Sequence, residues 1–240
     1  MKTTARNIAS IVSTLLIALS ALAISATAHA TLIYQQDFTG DSRVSLTGTK
    51  VGIGDGFWSD QTGRFKQDGS VPGVWFSSLT LPFTPSSGYV YTLQATLEAT
   101  TGEDWNQLYM GFFNSSGGDS TTVFNTAASW MGVDQSGHWL VNGSHEGKTT
   151  GPLAFKIVLD TTGTNWMSKF YVNDFYVSWK DQTFTSVPTI TTVGFGTQST
   201  TGGNLSGFSL EGVAVPEPST YALILGGIAT LLVIRRRVKA

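Results

Sequence analysis

The chain has 240 residues, of which 12% are charged, with 27 glycines, 7 Trp, 7 Tyr, 14 Phe and no cysteine. Lack of cysteine excludes disulfides, thiol catalysis and cysteine-based zinc sites. Net charge is −2, but residues 31–213 carry eight Lys/Arg against fifteen Asp/Glu, a net −7; so acidic a body repels phosphate backbones and argues against nucleic acid as a partner.

Lys2 and Arg6 precede an apolar run from Ile11 to Ile24, and Ala28-His29-Ala30 follows as a small-x-small pattern. Charge, apolar run and small residues in that order predict a secretory signal peptide over residues 1–30, cleaved after Ala30. The implied partners are the secretion machinery and a signal peptidase. An amphipathic first helix would give no reason for that order.

Residues 31–213 lack a long 3.6-residue apolar period and read as one all-β domain. Strands are predicted at Leu32–Phe38 and Val74–Leu81. Tyr89, Tyr91, Leu93, Ala95, Leu97 and Ala99 alternate with more polar residues, predicting a half-buried strand. Leu108–Phe113 is continuously apolar apart from one glycine, which fits a strand buried on both faces. Further strands are expected at Trp130–Val133, His138–Val141, Thr189–Phe195 and Phe208–Val213. Phe155, Ile157 and Leu159 share one strand face, as do Trp166, Phe170 and Val172. Asn173-Asp174 separates that run from Phe175–Trp179, and both residues tolerate positive φ, so a two-residue hairpin turn is expected. A dozen strands over this length imply two packed sheets.

The C-terminal segment 214–240 contains Pro216-Glu217-Pro218, an apolar run from Tyr221 to Ile234, and Arg235-Arg236-Arg237. The two prolines keep their segment extended. The apolar run is short for a membrane span, but an interfacial Tyr221 and snorkelling arginines extend it. The arginines place their end on the cytoplasmic side, which leaves the sandwich outside and agrees with the export signal.

These three parts in order resemble a PEP-CTERM sorting domain. The resemblance implies an exported bacterial protein that is membrane-anchored during sorting and processed by an exosortase near Pro216, Glu217 and Pro218. It further implies a final location at the cell surface or in the extracellular matrix, linked to exopolysaccharide and biofilm. The run from Phe155 to Trp179 and the ending Gly202–Val213 resemble concanavalin A-like or laminin-G-like jelly rolls, with the last strand returning beside the first. That resemblance implies an all-β, two-sheet antiparallel jelly-roll sandwich in a class whose members bind glycans or proteins and include some glycosidases.

Catalytic signatures are missing. A glycosidase needs two carboxylates about 5–9.5 Å apart; Glu103-Asp104 is the nearest cluster, and adjacent strand residues point to opposite faces. No Gly-x-Ser-x-Gly elbow occurs. His138, His145 and Glu146 have no regular ligand spacing, so no metal site is assigned to them. Asp119 and Asp134 are loop candidates for calcium but lack the EF-hand pattern, so no cofactor is expected. Gly52, Gly54 and Gly56 read as a turn rather than a phosphate loop, since no lysine or helix pattern follows.

Aromatic residues beside polar ones are the better candidates. Sugar rings stack on exposed indoles while amides and carboxylates bond the hydroxyls. Trp58 with Asp60, Trp105 with Asn106, and Trp139 with Asn142 are therefore the candidate glycan contacts, with burial in the core as the competing fate for each Trp. Trp75, Trp166 and Trp179 are assigned to the core. The expectation is a non-catalytic surface protein that binds polysaccharide; the alternatives are a structural module without ligand and a divergent glycan hydrolase or lyase.

Overall fold

The protein is described by a computed structural model, which describes residues 29–60, 62–73, 77–101, 107–114, 127–198, 201–215 and 226–227. The chain divides into two units, Ala30–Val213 and the combined ends Met1–His29 with Ala214–Ala240. Of the ends, Gly226 and Gly227 are helical. Among the described residues no helix is long and apolar enough to cross a membrane; the predicted 221–234 run otherwise lies outside them.

Fifteen strands occur among the described residues. In chain order they begin with β1 (Ala30–Gln36), β2 (Ser59–Asp60), β3 (Ser70–Val71), β4 (Ser77–Pro82) and β5 (Tyr89–Thr101). Next come β6 (Gln107–Phe113), β7 (Ala127–Asp134), β8 (His138–Val141), β9 (Ser144–Lys148) and β10 (Leu153–Asp160). The last are β11 (Met167–Val172), β12 (Phe175–Tyr176), β13 (Gln182–Thr183), β14 (Thr192–Thr197) and β15 (Gly202–Ala214). The first sheet runs β1-β15-β5-β10-β11-β12, with β13 on β11 and β3 on β15; the second runs β2-β4-β14-β6-β7-β8-β9. Pairing is antiparallel, so the fold is a two-sheet antiparallel β-sandwich.

Alternation puts one face of each sheet inside. From the first sheet Leu93, Leu97, Phe155, Ile157, Phe170 and Phe208 are buried; Leu79, Leu108, Met110, Phe112, Met131 and Phe195 meet them from the second. Burying a side chain of this size contributes about 1.5–3 kcal/mol, so this interface sets the register of both sheets. β6 is buried along its whole length. Its inward residues join the main core, whereas Tyr109 and Phe113 join Trp130 and Leu140 in a second apolar cluster. The continuous apolar run of β6 has that physical basis.

β15 pairs with β1, with Gln36 opposite Phe208 and Ala30 opposite Val213. Asn173 and Asp174 turn the β11–β12 hairpin at φ 47° and 63°. Beyond Tyr176 the expected strand stops: Ser178–Lys180 is a 3₁₀ turn. β9, with the sequence Ser-His-Glu-Gly-Lys, carries no apolar alternation and was not expected as a strand.

Candidate glycan-binding surface

The β11–β12 hairpin builds an aromatic surface at one edge of the sandwich. Asn173 secures the turn: its Oδ1 accepts the Ala154 N–H at 2.9 Å and its own N–H donates to the Ala154 carbonyl at 2.7 Å. Asp174 then reaches Lys156 Nζ at 2.7 Å, and that hydrogen bond and charge hold the Asp174 carboxyl below its ordinary range. Register places Tyr176 opposite Tyr171, Tyr171 opposite Lys156 and Lys156 opposite Gln94. All four lie on the outer face, because Phe155, Ile157 and Phe170 take the inner one. The Tyr171 and Tyr176 rings stack at 5.0 Å, and the Lys156 ammonium sits 4.7 Å from the Tyr171 ring centre. A shallow groove beside the row is lined by Gln94, Thr96, Lys156, Asp174 and Gly207. Tyr176 donates its hydroxyl to Asp181, a bond that pushes its pKa up to about 12.

Phe175 of β12, on the face opposite Tyr176, and Trp179 of the following 3₁₀ turn are each 59% exposed, with ring centres 6.1 Å apart. Val177 between them is fully buried and anchors the segment. The Trp179 indole N–H donates to Glu146 Oε2 at 2.7 Å, and Lys180 Nζ reaches Glu146 Oε1 at 2.6 Å. Burial alone pushes the Glu146 carboxyl up, but the bonds from Lys180 and Trp179 and the Lys180 charge together hold it below its ordinary value. Trp179 is thus held by its polar edge, with its apolar ring presented to solvent. The expectation that Trp179 fills the core is corrected: the chain leaves the sheet after Tyr176, and the 3₁₀ turn breaks the alternation that would have pointed it inward. Trp166 is buried as expected, at 5% exposure; Trp75 lies outside the described residues.

The sequence-predicted contacts do not converge. Trp58 is 1% exposed and packs with Phe38, Phe195 and Phe208, so it is a core residue and not a sugar platform. Asp60 is also buried and is a loop organiser. Its Oδ1 accepts from the Thr62 N–H and hydroxyl, at 3.0 and 3.1 Å, and its Oδ2 from the Phe65 N–H at 2.9 Å. Trp139 faces the core over Gly147, where a Cβ would sit 2.5 Å from the indole nitrogen. Asn142 shapes the β8–β9 turn at φ 46°; its Oδ1 accepts the Trp130 N–H and its Nδ2 donates to Gln182. Strand phase buries Trp58, Asp60 and Trp139, and Asn142, though exposed, is taken up by its turn; both effects outranked the polar neighbours in sequence. Trp105 and Asn106 lie outside the described residues, as do Glu103, Asp104 and Asp119. Of the processing residues, Ala30 opens β1; Ala28, Pro216, Glu217, Pro218, Arg235, Arg236 and Arg237 lie outside. Sequence reasoning missed the aromatic edge. Its available signal was the Asn173-Asp174 turn, which makes Phe175 and Tyr176 a hairpin's outer arm.

No protein-family model and no curated protein matches the chain. Solved structures similar to it include the Emp47p carbohydrate recognition domain, at 12% identity and TM-score 0.45, covering 74% of this chain and 100% of that one. A Trypanosoma rangeli sialidase aligns at 10% identity and TM-score 0.47, over 78% of this chain and 31% of the enzyme. Alginate lyase Aly36B aligns at 10% identity and TM-score 0.38, over 80% of this chain and 100% of the lyase. Likeness at this level assigns no ligand or activity.

Proposed function

We propose that this chain is an exported surface or matrix protein whose sandwich binds extracellular polysaccharide without acting on it. Export rests on the signal-peptide pattern of residues 1–30. Sorting rests on the PEP-CTERM-like tail: residues 221–234 hold the chain at the membrane while an exosortase-type enzyme processes it near Pro216, Glu217 and Pro218. The finer fold reading, a jelly roll of the concanavalin A-like kind, is supported by the return of β15 beside β1.

The observation that carries the binding reading is the pair Phe175 and Trp179, each 59% exposed beside the buried Val177. Exposed rings whose polar atoms are already bonded offer apolar faces to the C–H faces of sugars at small cost in side-chain entropy. On the outer face of the same edge the row Tyr176–Tyr171–Lys156–Gln94 crosses four strands, about 14 Å at about 4.8 Å per spacing, or roughly three pyranose rings. Lys156, Asp174 and Gln94 supply donors and acceptors for hydroxyls.

The carboxylate pairs in the grooves support a non-catalytic role. Asp37 and Glu211 line one groove. Gln36 stands opposite Phe208 and Leu32 opposite Glu211, so the two acids lie four to five residues apart, roughly 13–16 Å of strand at about 3.3 Å per residue. That is wider than the about 5–9.5 Å of glycosidase pairs. Glu98 and Asp134 line another groove, but the Asp134 side chain is fully buried and turned to His138.

The test is binding of the purified chain to a panel of polysaccharides, including its host's exopolysaccharide, with a parallel assay for released reducing ends. Saturable binding without release is expected, with Trp179→Ala weakening it about tenfold, or about 1.4 kcal/mol. Release of reducing ends would refute the non-catalytic reading. No binding to any member of the panel would leave a structural surface module.

A further inference from the structure

On the second sheet, where Glu146 of β9 also holds Trp179, three residues of the 134–145 stretch come together. β7 ends on Asp134, a tight turn through Gly137 at φ 80° follows, and His138 opens β8. The Asn142–Gly143 turn, at φ 46° and 86°, returns the chain as β9. There Trp139 faces Gly147 and Leu140 faces His145, so Glu146 is the extra residue of a bulge. The bulge brings His145 alongside His138, with ring centres 5.3 Å apart. Bulges commonly re-aim side chains in this way. One donor atom from each of Asp134, His138 and His145 lies within 4.8 Å of the others.

Asp134 does more than stand nearby. Its side chain is fully buried, its Oδ1 accepts the His138 backbone N–H at 2.8 Å, and its Oδ2 lies 3.0 Å from His138 Nδ1. A carboxylate facing Nδ1 fixes the proton on that nitrogen, which leaves the lone pair on Nε2 and locks the ring. Carboxylate–histidine pairs of this kind support metal-bound imidazoles. His145 is exposed, and its ring lies against that of His138. Glu146, the acid that sequence order placed beside His145, is engaged instead by Lys180 and Trp179.

We propose that His138 and His145 bind a divalent transition-metal ion of the zinc or copper type, with Asp134 as the positioning residue behind His138. Two imidazoles without thiolates suit these ions, whereas calcium and magnesium prefer all-oxygen shells. Two protein ligands leave further coordination positions to water or to a ligand oxygen. Binding should therefore be moderate, with a dissociation constant on the order of 1–100 µM.

The experiment uses the full chain in detergent. Zinc is titrated by calorimetry, and Cu(II) is followed by electron paramagnetic resonance. One ion per chain is expected, with nitrogen coupling from two imidazoles. His145→Ala, at an exposed position, should leave the thermal midpoint unchanged, weaken zinc at least about tenfold and reduce the copper signal to one nitrogen. Asp134→Asn should weaken zinc by about 10–100-fold while the copper spectrum keeps both nitrogens, the signature of positioning rather than ligation. The chain holds three histidines, so His29→Ala is the control and should change nothing. Zinc affinity indifferent to His145→Ala, binding lost in His29→Ala, or copper without nitrogen coupling would each overturn the proposal.

Discussion

Replacing Asp60 with alanine separates a structural carboxylate from a ligand-binding one. In the fold, Asp60 takes the Thr62 and Phe65 N–H groups, the Thr62 hydroxyl and, at 3.3 Å, the Ser77 hydroxyl. Its exposure is 4%, so water cannot readily replace it. Each orphaned buried donor costs about 1–3 kcal/mol, and hydrogen bonds to a charged acceptor sit at the upper end. The hydroxyls can turn to other partners, but the Phe65 N–H cannot. The expected loss in Asp60→Ala is about 3–5 kcal/mol, a large part of the about 5–15 kcal/mol that holds a typical domain together. For a domain of this size the thermal midpoint should fall by roughly 6–20 °C. The assay is urea unfolding of residues 30–215 followed by tryptophan fluorescence. The midpoint should drop with an unchanged slope, since the surface exposed on unfolding is the same. Asp60→Asn, which keeps one acceptor oxygen, should fall between. An unchanged midpoint combined with weaker polysaccharide binding would refute the reasoning and return Asp60 to the binding surface.

Other expectations follow from single contacts. Gly111→Ala puts a Cβ 2.4 Å from the Ser129 carbonyl oxygen and 2.8 Å from Trp130 Cβ; overpacking against backbone in a central strand should cost about 3 kcal/mol in the same urea titration, and a neutral result would mean β6 and β7 are less tightly packed. The Glu146 carboxyl is held below its ordinary value of 4.5, so its contacts are present above that pH and are lost as pH falls through the lower, folded value. Trp179 fluorescence, taken as the difference from Trp179→Phe, should therefore change with a midpoint below 4.5, and Glu146→Gln should abolish the step; a midpoint above that value would contradict the geometry. Phe175→Ala, at a 59% exposed position, should leave stability within about 0.5 kcal/mol while weakening polysaccharide binding.

Strand alternation made much of the sandwich legible in the sequence. β5, β10 and β11 repeat a period of two with apolar residues on one side, and burial of that side is what pairs the sheets. β6 was legible as doubly buried from its unbroken apolar run, and the β11–β12 turn from two residues that tolerate positive φ. The expected signal peptide and sorting tail rest on local patterns of charge, apolar length and proline spacing, and lie almost wholly outside the described residues. The candidate sites were not legible in this way. Trp58 and Trp139 look like binding residues beside Asp60 and Asn142, yet each falls on a buried face where an aromatic side chain is worth most. Trp179 looks like a core residue, yet a 3₁₀ turn after a two-residue strand carries it to the surface. His138 and His145 have no ligand spacing in sequence; hairpin register and a one-residue bulge bring them together with Asp134. The sequence by itself determined period and turn chemistry, because these depend on near neighbours. Which aromatic residue faces solvent and which polar groups meet depended on sheet pairing, on the 3₁₀ turn after β12 and on the β9 bulge, and the tertiary structure alone decided that.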